Sequence, residues 1–167
     1  MRADVFDAEK RSAVMRAVKS RDTKPELVVR ATVRALGYGR RYRIGGAKLP
    51  GKPDLAFGAM RRVIFVHGCF WHGHDCKRGA RQPKDNAAYW RAKVERNRAR
   101  DAASIAALKA AGWRVLVVWE CEIKEAALLT RKLTSFLRKT QTRNSRAPDR
   151  AGQTPLAPPK VRHRPGG

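Results

Sequence analysis

Val63-Ile-Phe-Val-His-Gly-Cys-Phe-Trp-His-Gly-His-Asp-Cys76 opens as a buried strand and closes as a loop crowded with ligands. Five imidazole or thiol side chains and two large aromatics fall in the ten residues from His67 to Cys76. A second apolar run, Arg114-Val-Leu-Val-Val-Trp119, stands just before Cys121, the last of three cysteines. Such continuous runs fit strands covered on both faces. Between them lies a long helical segment, from about Asp85 to Ala111, stopped by Gly112. Strand, helix and strand in that order imply a right-handed crossover and a parallel pair. Two strand ends would then share thiol and imidazole groups, and a metal held by both would pin them together.

Working outward, Asp54 to Phe57 and Arg62 to Val66 read as a strand pair around Gly58-Ala59-Met60. Leu49-Pro-Gly-Lys-Pro53 is a turn whose φ is fixed twice by proline. Arg41 to Ile44 reads as a short strand. Thr23-Lys-Pro-Glu26 has the form of a capping box, opening a helix that runs to Leu36 and stops at Gly37. A weakly amphipathic helix loaded with Arg and Lys covers Asp7 to Lys19, and a last helix spans Lys124 to Arg138. From Thr140 onward there are five prolines, scattered arginines and no aromatic residue, which reads as a disordered basic tail. The expected organisation is one domain over residues 1–139 followed by a tail at 140–167. Its class is α/β, a mixed central sheet flanked by helices.

The chain holds 38 Lys+Arg against 14 Asp+Glu, a net charge of +24. That excess predicts strong, salt-sensitive attraction to nucleic acid and leaves DNA and RNA equally open, because charge carries no base information. There is no apolar run long enough to span a membrane and no apolar signal core, so a soluble, intracellular protein is expected. In that setting three cysteines point to metal ligation or free thiols rather than a disulfide framework.

Cys69, His74, Cys76 and Cys121 supply the four ligands that a closed tetrahedral zinc site requires. Cys69 and Cys121 also suit a second reading, as small buried apolar residues. Asp54, after Pro53 at the head of a strand, can face a cleft and hold Mg²⁺ beside a phosphate, or can simply be a turn residue. His67 and His72 are placed for general base and leaving-group chemistry, since imidazole titrates near neutral pH; spare zinc ligation is the competing role. Asp101, on the long helix, can orient His72 through its second ring nitrogen or form a surface ion pair.

Four motifs in fixed order carry a resemblance. Pro50-Gly-Lys-Pro-Asp54, His67-Gly-Cys-Phe-Trp-His72, Asn97-Arg-x-x-Asp101 and Gly112-Trp-Arg-Val-Leu-Val-Val-Trp-Glu-Cys121 resemble the very-short-patch repair (Vsr) endonucleases. The similarity runs from about Asp4 to Phe136. It implies a restriction-endonuclease-like core with a structural zinc site. It also implies Mg²⁺-dependent nicking of one DNA strand 5′ to the thymine of a T·G mismatch, the product of 5-methylcytosine deamination. Residue by residue, Asp54 becomes the Mg²⁺ carboxylate, assisted by the backbone carbonyl of Val66. His72 becomes the base, Asp101 its support, and His67 a group at the scissile phosphate. Glu26 matches an acidic residue near the active site, although capping alone would account for it. Phe70, Trp71 and Trp90 match aromatics that wedge into the base stack, and Met15 matches a residue inserted from the opposite groove. Cys69, His74, Cys76 and Cys121 match the structural zinc ligands. The resemblance further implies a monomer working on the bacterial nucleoid in the cytoplasm, beside mismatch-repair proteins. Val66 stands where the family pattern has threonine, and Gly73 and Asp75 replace histidines of a longer His run.

Overall fold

The computed structural model describes residues 21–46, 48–81 and 86–138. The basic helix expected at 7–19, Met15 within it, and the tail at 140–167 lie outside the described residues. Four strands form one sheet in the order β1 (Arg43–Ile44), β2 (Leu55–Phe57), β3 (Arg62–His67), β4 (Arg114–Trp119). β1 with β2 and β2 with β3 are antiparallel, whereas β3 and β4 run parallel over all six pairs from Arg62↔Arg114 to His67↔Trp119. The strand pair around residues 58–60 and the parallel pair are both as the apolar runs predict.

Helices cover both faces of the sheet: α1 (Lys24–Val33), α2 (Ala87–Ala110) and α3 (Ala126–Leu137). Alternation along each strand sorts the core into two layers. Leu55, Phe57, Ile64 and Val118 pack with Val29 and Val33 of α1 and with the Leu129, Leu133 and Leu137 stripe of α3. Ala56, Val63 and Phe65 face the other way, against Leu108 of α2. Each fully buried leucine of these layers contributes about 1.5–3 kcal/mol. His67, two residues beyond Phe65, continues that second face and so points to the α2 side.

The helix ends show which signals worked. Thr23 caps α1, but the reciprocal half of the capping box is displaced. The Glu26 carboxylate accepts from the Asp22 N–H at 3.0 Å and the Thr23 hydroxyl at 2.9 Å, not from the Thr23 N–H. After Val33 the chain widens into a π turn over Arg34–Tyr38, in which Gly37 takes φ +83°. The expected stop at Gly37 is therefore a kink inside this turn, and the α-helix has already ended at Val33. Gly112, at φ +77°, closes α2 with the Trp113 N–H on the Leu108 carbonyl and its own N–H on that of Lys109. This is a Schellman ending, and it aims the chain directly into β4. Lys124 belongs to a separate short 3₁₀ turn, Glu122–Lys124, and α3 begins only at Ala126.

β4 is packed on both faces, as its apolar run predicts, with Leu116 and Val118 in one layer and Val115 and Val117 in the other. Among the described residues it is nonetheless an edge of the sheet, and Val115, Leu116 and Val117 are only half-buried. Only Val118 is fully enclosed, against Val63 and Ile64 on the central strand. An apolar run does not distinguish an edge strand from a central one when helices reach it from both sides.

Candidate active site and metal centre

The parallel pair ends with His67 opposite Trp119, and the Glu120 N–H bonds the His67 carbonyl at 2.9 Å, carrying the ladder one residue further. Beyond this point both chains turn away from the sheet, which places Cys69 beside Cys121. The loop after β3 folds back on itself: the His72 N–H reaches the Gly68 carbonyl and the His74 N–H the Cys69 carbonyl. Gly73 makes that turn possible. Its φ is +62°, and an added Cβ would lie 2.7 Å from Val94 Cγ1. Cys69, His74, Cys76 and Cys121 thereby bring one ligand atom each within 4.8 Å of all the others. The Cys121 sulfur lies 3.6 Å from His74 Nδ1. These four residues could hold a metal ion. Burial pushes the Cys69 thiol up to about 12, and the neighbouring His74 side chain draws Cys76 down to about 6.

A single stripe of α2 locks the loop in place. Trp90, Val94, Asn97, Asp101 and Leu108 follow one another at helical spacing, hence on one face. Trp90 meets Phe70 and Trp71 with ring centres 5.7 and 5.8 Å away. The Asn97 side-chain amide donates to the Trp71 carbonyl at 2.9 Å. Asp101 Oδ2 lies 2.5 Å from His72 Nδ1. Leu108 anchors the other end in the core.

The carboxylate contact fixes His72 as the tautomer with hydrogen on Nδ1, leaving the Nε2 lone pair free to take a proton. His67 lies parallel to it, ring centres 3.9 Å apart and planes 8° from each other. Burial drives His67 down to about 4; the His72 ring adds to that, and Asp101, 4.0 Å away, opposes it. His67 is therefore neutral at physiological pH. His67, His72 and Asp101 also cluster closely enough to suggest a second metal site. Parallel rings, however, aim their nitrogen lone pairs side by side rather than at one point, so a hydrogen-bonded acid–base set describes them better.

Asp54 enters the same cavity, about 520 Å³ in volume, from β2. Its Oδ2 accepts from the Val66 N–H at 2.7 Å. Burial raises its carboxyl to about 6 despite that hydrogen bond, and the nearby Glu26 pushes the same way. Glu26 lines the cavity too, but it is 5% exposed and its carboxylate takes three donors, the third being Arg30 at 2.8 Å. Val66 thus meets Asp54 through its N–H.

Asp54, Val66, His67, His72, Asp101 and Glu26 converge on one cleft, and the four soft ligands on a second centre behind it. Phe70, Trp71 and Trp90 form one cluster at its rim, half-buried against each other. Four residues escaped the sequence reading as functional groups. Asn97 holds the loop backbone; its spacing of four from Asp101 was the available signal. Lys93 places its ammonium 5.5 Å from the Trp71 ring centre and 5.6 Å from that of Trp90. Arg78 and Glu120 pair at 3.3 Å across the cleft mouth, and no local pattern marks them.

Comparison with known proteins places this arrangement. The sequence pattern of a family described as DNA mismatch endonuclease Vsr matches residues 3–78. A type II nicking enzyme of Xanthomonas oryzae, V.XorIIP, is 46% identical over 134 residues, covering 80% of this chain and 96% of the relative. The chain belongs to the Vsr family. It is accordingly an endonuclease. The Vsr endonuclease of Escherichia coli is 42% identical over 128 residues, 77% of this chain and 80% of that one. V.NmeAIP, a type II nicking enzyme of Neisseria meningitidis, is 40% identical over 136 residues, 81% of this chain and 95% of its own length. The family pattern includes Asp54 and the loop from His67 to Cys76 but stops short of Asp101 and Cys121.

Proposed function

We propose that this Vsr-family chain nicks one strand of duplex DNA at a T·G mismatch, 5′ to the thymine, with Mg²⁺ at Asp54 and Zn²⁺ at the cysteine cluster. The observation that carries the reading is the His72–Asp101 contact, which prepares a base facing the Asp54 cleft directly beside an aromatic rim. The antiparallel β1–β2–β3 unit, the acidic residue heading β2 and the parallel β4 after a helix support a restriction-endonuclease-like core.

Both ions fit the residues present. Bonds of about 2.3 Å to sulfur and about 2.05 Å to nitrogen, at a tetrahedral angle, separate the two ligand atoms by about 3.6 Å. Cys121 Sγ and His74 Nδ1 stand at that separation. With four protein ligands the shell is closed, so zinc is structural. Asp54 offers one hard oxygen in a cleft otherwise open to water and phosphate, which suits magnesium. When bound there, with the Val66 carbonyl as second protein ligand, magnesium supplies charge neutralisation at the phosphate.

The chain's own groups do the proton work. His72 Nε2 takes a proton from the attacking water as its oxygen bonds to phosphorus. Asp101 stabilises the resulting imidazolium and keeps the ring from turning. The bond from phosphorus to the 3′-oxygen breaks, and that oxygen leaves with a proton from solvent as a hydroxyl. Neutral His67, stacked on His72, walls the ring from water and stands at the scissile phosphate. Glu26, saturated with donors, orders the N-terminus of α1 and sets the field at Asp54.

Phe70, Trp71 and Trp90 supply the selectivity. Prying apart a base step costs a few kcal/mol, and less where the pair is already a wobble. Their loop is fastened by the zinc ligands on one side and by Asn97 on the other, so the wedge is stiff. The same reading includes a monomer, one domain over residues 1–139 and association with mismatch-repair proteins. The names of the nicking relatives favour a second reading, cutting of fully paired duplex. Nicking of T·G, other mismatched and paired oligonucleotides, with and without Mg²⁺, separates the two. Equal rates on paired and mismatched duplex would refute the mismatch assignment, and metal-independent nicking would refute the role of Asp54.

A further inference from the structure

Between Glu26 and Asp54 the sequence has seven Lys or Arg residues and no Asp or Glu. Among the described ion pairs, only Arg30 of these seven is engaged. Arg40, Arg41, Arg43 and Lys48 are exposed and line a single cavity of about 630 Å³ along β1, and among the described residues no acidic side chain contributes to its wall. Among the same residues β1 is an edge of the sheet. Tyr42 turns inward onto Phe57, ring centres 5.6 Å apart, whereas Arg43, opposite Ala56 of β2, points to the other side of the strand, and exposed Arg41 lies 5.6 Å from the Tyr38 ring centre.

This basic edge leads to the catalytic cleft. Beyond Ile44 the pairing continues, with the Gly45 N–H on the Asp54 carbonyl at 3.1 Å and the Gly46 N–H on that of Pro53 at 3.0 Å. Lys52, at the far side of the turn, lines the Asp54 cavity itself. Arg41 stands four positions before Gly45, at most about 13 Å of chain at ~3.3 Å per residue. That reach corresponds to a few phosphates of one DNA strand.

We propose that Arg40, Arg41 and Arg43 form a second DNA-contact surface, apart from the aromatic rim, which grips backbone phosphates a few nucleotides from the scissile bond. The proposal rests on the DNA reading above and extends it to a part of the molecule with no role in the chemistry. Phosphate contacts of this kind position the duplex without reading its sequence. An edge strand also benefits from arginines simply because charge discourages pairing with another copy. The two roles differ in their salt dependence.

The test is a full-length variant with Arg40→Gln, Arg41→Gln and Arg43→Gln, beside a charge-preserving variant with lysine at the same three positions. Binding to a 30-base-pair T·G duplex is measured without added magnesium across a range of salt. Each lost phosphate contact lowers the slope of log K against log[salt] by about 0.9. The glutamine variant is expected to lose two or more from that slope, and the lysine variant to keep it. An unchanged slope in the glutamine variant overturns the proposal and leaves edge shielding, which self-association of that variant would expose. Failure of the wild type to nick, with the slope difference intact, would instead sink the endonuclease mechanism and spare this surface.

Discussion

Replacing Asp54 by asparagine should stabilise the protein while abolishing its activity. The carboxyl sits mostly buried, with its proton affinity raised from the ordinary 3.8 to about 6. At about 1.4 kcal/mol per tenfold, ionising it inside the fold costs about 3 kcal/mol more than in the unfolded chain. Asparagine carries no charge, and its carbonyl oxygen can still accept the Val66 N–H. Its amide hydrogens need new partners, at about 1–2 kcal/mol, so the net gain at pH 7 is about 1–2 kcal/mol. For a chain of this size that is about 2–8 °C in Tm. The sign of the pH dependence follows from the raised folded value. Below about pH 3 the carboxyl is protonated in both states and the penalty vanishes. It builds as pH rises from there through 6 and is complete by about pH 7. The advantage of Asp54→Asn should therefore be lost by pH 4, where the cost of the amide outweighs the small penalty that remains, and level off by pH 7. Thermal unfolding of both proteins from pH 4 to 8, without added magnesium and without chelator, makes the comparison while leaving a tightly held zinc in place. Added magnesium should then raise the wild-type midpoint and not the variant's. An advantage independent of pH, or a variant less stable than wild type at pH 7, would refute the reasoning about burial.

Asp101→Asn keeps the shape of the contact but removes the charge that steadies a protonated His72; single-turnover nicking should fall about 10²–10⁴-fold with duplex affinity unchanged. A wild-type rate would remove Asp101 from the mechanism. Cys121→Ser opens the ligand set that joins β4 to the loop, so metal content and cooperative unfolding should be lost together; a well-folded protein without zinc contradicts this. Trp71→Ala should shrink the ratio of affinities for T·G over paired duplex by roughly 5- to 150-fold, about 1–3 kcal/mol of stacking, at fixed salt. An unchanged ratio takes the wedge out of the account. Gly73→Ala forces a side chain into Val94 at positive φ, so urea unfolding should show a loss of at least about 1 kcal/mol, and equal stability would mean the loop is looser than its geometry indicates.

The sheet was largely legible because its signals are local. Val63–Val66 and Val115–Val118 are dense apolar runs, Gly112 is an unambiguous helix stop, and the order of elements then forces a parallel pair. The zinc-type ligands were also within reach, since every cysteine in the chain is among them. What could not be read is what tertiary contact decides. Nothing local tells that β4 is an edge, that Arg34–Tyr38 unwinds into a π turn, or that Glu26 bonds the Asp22 N–H and draws in Arg30. The pairing of His72 with Asp101 spans 29 residues; the residues themselves offered it beside a surface ion pair, and only the resemblance chose between the two. Asn97 was visible in a motif but had no role until its amide met a backbone carbonyl from another segment. Met15, the basic helix at 7–19 and the tail lie outside the described residues, so those readings stay expectations.

Trp90 and Asp101 belong to one unbroken helix, eleven residues or about 16 Å apart along its axis. There is no joint between them at which strain could dissipate. On the proposed function, a load applied by the duplex at the tryptophan end would reach the carboxylate as the tilt of a stiff strut, and whatever re-seats the strut would re-seat the imidazole it holds. Gripping a lesion and arming the base would then be mechanically a single event.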